Sequence, residues 1–177
     1  MSDRAPTRKS PAAAVLQGLL AGAIGNAIFT GYQRLVGKGE DEESSKPERW
    51  DDAPETAQVG HRVAEGVFDK DVPLEKADEL ANAVHWIYGT SWGGLYALIE
   101  ESVQNPVLSA PALATGVILA DYTLLPLMGL YKPPWRYPAK TLAADYGHHL
   151  VYGFAVAGAY RALDLALRRR RRTSFAR

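Results

Sequence analysis

Cysteine is absent from the 177-residue chain, which excludes disulfides, a thiolate nucleophile and any cysteine-ligated zinc or iron-sulfur centre. Net charge is absent as well: 20 Lys and Arg cancel 20 Asp and Glu, a zero that hides strong segregation along the chain and says nothing about partners. There is no P-loop and no H-E-x-x-H, and no unit of roughly 20 to 50 residues repeats, which rules out a solenoid. The length allows one compact domain or one small helical membrane protein, and is too short for an enzyme with a separate cofactor module. The most telling scarcity is local. Ala12 to Tyr32, Ala83 to Ile99, Ala110 to Leu130 and Ala143 to Tyr160 contain only two charged residues, Asp121 and Asp145. Mean hydropathy, at -0.18, conceals this because the remaining charges crowd into what is left.

These four segments predict an all-α integral membrane four-helix bundle. Ser10 to Gln33 is uncharged throughout, and about 20 apolar residues suffice to cross a hydrocarbon core. A soluble helix of that length would carry charges on a solvated face. The competing reading of this stretch is a cleaved signal peptide, with Gly25-Asn26-Ala27 as the small-x-small site. The expected organisation is a basic tail over 1–11, a first span over 12–32 and an acidic extramembrane loop over 33–72. A second span with an interfacial extension follows over 73–101, then a third over 110–130. An aromatic and proline-rich interfacial loop over 131–142 leads to a fourth span over 143–167 and a basic tail over 168–177. Ser109 reads as the N-cap of the third span, and Pro126 should kink it. Leu74, Ala77, Ala81 and Val84 give the start of the second span an apolar side suited to the membrane interface.

The stretch from residue 33 to 81 carries 14 acids against seven bases. Within it, Pro54 to Phe68 spaces Ala57, Gly60, Val63, Ala64, Val67 and Phe68 along one face, predicting a short amphipathic helix packed on the bundle or the lipid surface. Lys and Arg divide evenly between the tails and the connecting segments. The tails hold theirs at higher density, Arg168 to Arg172 above all, which places both termini in the cytoplasm. That arginine run reads as a topology anchor rather than a nucleic-acid patch, because it directly follows a span.

Ala14, Gly18, Gly22 and Asn26 recur every four residues, with Ala21 and Gly25 beside them. Small residues let helix backbones approach closely in lipid, so Gly18, Gly22 and Gly25 are expected to pack helices. The partner is either the chain's own helices or a second copy in a homo-oligomer. Asp121 lies about 17 Å along its span at 1.5 Å per residue and cannot face lipid. Asp145, His148 and His149 share one helical face, and His85 opens the second span. His85, Asp121, Asp145, His148 and His149 are therefore expected to converge as an intramembrane polar cluster, with Asp121 and His148 sharing one pocket. Such a cluster senses protons, faces a solute or holds the helices together. A haem or metal held by His85, His148 or His149 is the alternative, though a single Asp-x-x-His falls short of a paired metal motif. Gly89-Thr90-Ser91-Trp92-Gly93 matches the G-x-S-x-G nucleophile pattern, but in a helical context lacking the strained strand-to-helix turn the pattern requires.

Pro126-Leu-Met-Gly-Leu130, Pro133-Pro134-Trp135 and Gly147-His148 give the chain a resemblance to the YagU-like family of small bacterial inner-membrane proteins. The resemblance covers roughly residues 80 to 160 and marks Pro126, Gly129, Pro134, Gly147 and His148. It implies a multi-pass protein of the bacterial cytoplasmic membrane and no particular reaction. The expectation from the sequence is a non-enzymatic bundle with the lipid bilayer as its surroundings and no cofactor, acting as a small-solute or proton-permeable path or as a membrane-stress component.

Overall fold

The computed structural model describes residues 9–37 and 47–174, and the side chains of these through Arg169. The N-terminal tail up to Arg8, the acidic run 38–46 and the side chains of the arginine run beyond Arg169 lie outside the described residues. The described residues form five α-helices and three short 3-10 turns, with no strand among them. The helices are α1 (Pro11–Leu35), α2 (Glu55–Phe68), α3 (Ala77–Val103), α4 (Pro106–Leu127) and α5 (Ala139–Ser174).

Local chemistry sets the boundaries. Ser10 caps α1, its hydroxyl accepting from the Ala13 amide, and Pro11 takes the first turn, where a missing N–H costs nothing. α3 ends where Gln104 adopts a left-handed conformation (φ 53°), and Asn105 then caps α4, its side chain accepting from the Val107 amide at 3.0 Å. The cap of the third apolar segment is thus Asn105 and not Ser109, which lies inside the helix and is fully buried. Asn105-Pro106 outcompetes Ser109 because it joins a side-chain acceptor to a proline already suited to the first helical position. Pro126 does not kink a continuing helix, since α4 stops one residue later. Gly129, at φ 72°, returns its N–H to the Pro126 carbonyl at 2.9 Å, a conformation that favours glycine.

Helices α1, α3, α4 and α5 alternate in direction. Asn26 meets His85 while Gly18 meets Ala97; Tyr88 meets Asp121 while Trp92 meets Gly116; Tyr122 meets Asp145 while Ala110 meets Gly153. The start of α1, the end of α3, the start of α4 and the later turns of α5 therefore lie together at one end, called here the terminal end. α2 lies at the far end, against the first turns of α3. There Ala53, Ala57 and Ala77 form a small second core, with Leu74 and Ala81 on its edge and Gly60 against Leu80 and Val84. The apolar side of the early second segment thus packs against α2.

The main core is built of small and aromatic residues. Ala14, Ala21, Ala97, Ala110, Ala157 and Ala159 fill it together with Tyr96, Tyr152 and Tyr160. Large aliphatic side chains point outward: Leu16, Leu20, Ile24 and Ile28 form an exposed stripe along α1, Leu16 at 64% exposure, and Leu119, Leu124, Phe154 and Leu165 do the same on α4 and α5. A chain folding in water places these residues the other way round. Among the described residues, three helices are long and apolar enough to cross a membrane: α1, α4 and α5 from Ala139 to Arg169. α3, expected as the second of four spans, falls short by composition, because Asn82, His85, Thr90, Ser91 and several glycines dilute its aliphatic content.

Candidate functional site

The far half of the bundle encloses a cavity of about 420 Å³, walled by α1, α3, α4 and α5 and roofed on one side by Glu55, Thr56 and Val59 of α2. All five polar residues expected from the sequence, His85, Asp121, Asp145, His148 and His149, line it. They come together because α3 and α5 both begin at this end, while α4 brings Asp121 to it in its last two turns.

Within the cavity the pairing departs from expectation. Asp121 is paired with His149, Oδ2 to Nε2 at 3.5 Å, whereas the His148 ring lies beside Tyr32 at 6.0 Å between centroids. The two histidines are about 100° apart around α5, so only one can aim at α4 while its neighbour turns toward α1. The second ring nitrogen of His149, Nδ1, contacts the Asp145 carbonyl one turn earlier at 2.8 Å. The other oxygen of Asp121 accepts from the Tyr88 hydroxyl at 2.6 Å, and Asp145 accepts from Tyr122 at 2.5 Å. Each carboxylate thus holds a phenol from a neighbouring helix. His85 presents Nε2 to the Thr30 hydroxyl at 3.3 Å, while its carbonyl accepts from the buried Asn26 amide at 3.4 Å.

Both ring nitrogens of His149 and Nε2 of His85 accordingly have protein partners. Among the described residues, the group whose ligating atoms fall within 4.8 Å of one another is His61, Glu65 and Asp71 on and after α2, two of the three exposed. His61 there stacks on Trp50 at 3.9 Å. Ser91, in the nucleophile-like pattern, lies mid-helix on an exposed face with its hydroxyl donating to the Ile87 carbonyl at 2.7 Å. That bond is the ordinary helix-internal satisfaction of a serine.

Below the cavity the bundle closes. Tyr152 donates to the Gly89 carbonyl of α3, and Phe29 packs edge-on against it at 5.9 Å. Gly18 and Gly22 of α1 press on Gly93 and Thr90 of α3, and Gly25 presses on Val156 of α5, so the small-residue stripe is spent on contacts within the chain. At the terminal end Lys9 reaches Asp164 at 2.8 Å and Glu101 at 3.5 Å, the Tyr160 hydroxyl donates to Glu101 at 3.0 Å, and buried Gln17 donates to the Tyr160 carbonyl at 2.9 Å.

The site's tyrosines escaped the sequence reading. Tyr152 continues the helical face of Asp145 and His149, and Tyr88 follows His85 by three residues, so spacing alone carried the signal. Beside the mouth, Tyr131 and Tyr137 pack on Tyr122 at 5.8 and 5.6 Å, and the nearby Trp135 is 81% exposed. Burial, then the negative charges of Glu55, Asp121 and Asp145, push the Tyr131 phenol up to about 12. No family model, curated protein or solved structure matches the chain.

Proposed function

We propose that the chain is a non-enzymatic integral protein of the bacterial cytoplasmic membrane, with α1, α3, α4 and α5 all crossing, both termini cytoplasmic, and a solute-binding cavity open on the outer side beneath α2. The observation that carries this reading is the radial distribution of side chains, aliphatic outward and small or polar inward, around a cavity at one end that holds the cluster of acids and imidazoles. In lipid, helices associate through close backbone contact and internal hydrogen bonds, and both hold α3 against α1. A segment with weak hydropathy crosses when neighbours shield its polar groups. Asn26, Asp121 and Tyr152 give that shielding to the backbone and side chains of α3. The cavity is of a size that suits a small organic molecule. Its closure toward the terminal end favours a binding site over an open pore.

Because the chain has no cysteine, single introduced thiols report sidedness without background. Thr56→Cys lies at the cavity mouth and Ser102→Cys near the end of α3, both exposed. An impermeant maleimide applied to intact cells should label Cys at position 56, and reach position 102 only after permeabilisation. Labelling of both from the same side would mean that α3 does not cross, and the four-span reading would fall.

A further inference from the structure

We propose that the cavity takes an organic cation, an ammonium group carrying apolar substituents, held between the carboxylates of Asp121, Asp145 and Glu55 and the rings of Tyr88, Trp92 and Tyr131. The inference rests on the reading of the cavity as a solute site and specifies the chemistry of its ligand.

Among the described residues, three carboxyl-bearing side chains line the cavity and no Lys or Arg does. The guanidinium of Arg62 on α2 donates to the carbonyl of Met128, one of the lining residues. The imidazoles of His85, His148 and His149 line the cavity as well, and His149 contacts Asp121. A carboxylate offers about four acceptor positions. Tyr88 and His149 occupy one on each oxygen of Asp121, and Tyr122 occupies one on Asp145. The wall is therefore rich in acceptors, a match for a ligand bearing N–H donors or positive charge and a poor match for an anion.

The remaining wall decides between an inorganic and an organic cation. Tyr88 and Trp92 stand edge to face at 5.9 Å, and Phe29, Val84, Val117 and Leu125 supply apolar surface between them. A hydrated metal ion gains nothing from such walls, whereas an alkylated ammonium gains from aromatic faces and from apolar burial together. At about 420 Å³ the space exceeds what a single ion needs. At the mouth, Glu55, Asp121 and Asp145 add to burial in raising the Tyr131 phenol.

The test uses the full chain purified in a nonionic detergent and three probes of similar shape: phenyltrimethylammonium, its uncharged isostere tert-butylbenzene, and benzenesulfonate. Calorimetric titration should show the cation binding at least about tenfold more tightly than the isostere, as desolvated cation-π attraction implies, and no binding of the sulfonate. Asp121→Asn and Asp145→Asn should each weaken the cation by about fivefold or more while leaving the isostere's affinity in place. Glu55→Gln, at an exposed position of the mouth, should weaken it by about twofold, which keeps a mutational arm if the buried variants do not fold. Equal binding of cation and isostere would leave a solute cavity and overturn the cation. If no probe binds, the solute-site reading falls together with it.

Discussion

Replacing Gly22 by alanine adds one methyl group where α1 lies closest to α3. Its Cβ would stand 2.7 Å from the Thr90 carbonyl oxygen and 2.9 Å from the Gly93 Cα, both backbone atoms with no rotamer to move away. Ordinary contact begins at 3.4 Å, so the two helices must part locally by about 0.7 Å. A gap of that order forfeits roughly a quarter to a half of the dispersion well for the atoms lining it, and overpacking of this kind costs about 1–3 kcal/mol. Alanine's better helix propensity returns at most about 1 kcal/mol. The net expectation is a loss of about 1–2 kcal/mol. Gly158 of α5 supplies the contrast: a Cβ there meets nothing within 4 Å, so Gly158→Ala keeps the propensity gain alone. Thermal unfolding in detergent should show Gly22→Ala lowered and Gly158→Ala level or raised, with several degrees between them. Equal shifts in the two variants would refute the packing argument, since the propensity change is common to both.

The cavity pair gives a second expectation: Asp121→Asn and His149→Ala should show a coupling of about 0.5–2 kcal/mol in a double-mutant stability cycle, because they share one contact, and strict additivity would place them apart. At the terminal end, Lys9→Met should cost about 1–2 kcal/mol in denaturant titrations, since it leaves Glu101 without its cation and Asp164 with Arg168 alone. The Tyr131 phenol, raised from 10 to about 12 in the folded chain, adds stability that is complete below pH 10 and lost as pH climbs toward 12. Ultraviolet difference titration of the native chain against Tyr131→Phe should place its ionisation near the upper value, and Glu55→Gln should bring it down. An ionisation at the ordinary phenol value would show that neither burial nor the acids act on Tyr131.

Helix content and the apolar stretches are legible in the sequence because missing charges and four-residue spacing are local signals. So is the convergence of His85, Asp121, Asp145, His148 and His149, since alternating helix directions place the start of α3, the end of α4 and the start of α5 together. The choice between His148 and His149 is not legible. It depends on the rotation of α5 about its axis, which is set by contacts such as Gly25 with Val156 and Gly153 with Ala110 across more than 40 residues of chain. The cap at Asn105 was open to reading but was masked by the competing Ser109. Tyr88, Tyr122 and Tyr152 were passed over because a tyrosine in an apolar helix reads as bulk until its hydroxyl is given a partner on another helix.

The terminal-end cluster binds the beginning of the chain to its last helix: Lys9 to Asp164, and Gln17 to the Tyr160 carbonyl. During synthesis the first helix therefore emerges long before the groups that complete it. Until α5 leaves the ribosome, the ammonium of Lys9 lacks Asp164, the Gln17 amide lacks its carbonyl, and the Gly25 face lacks Val156. A chain stopped before α5 thus presents unsatisfied polar groups and an open glycine face, the features by which unfinished bundles aggregate or are degraded. Translation of the final helix is the step that turns a set of inserted segments into one locked protein.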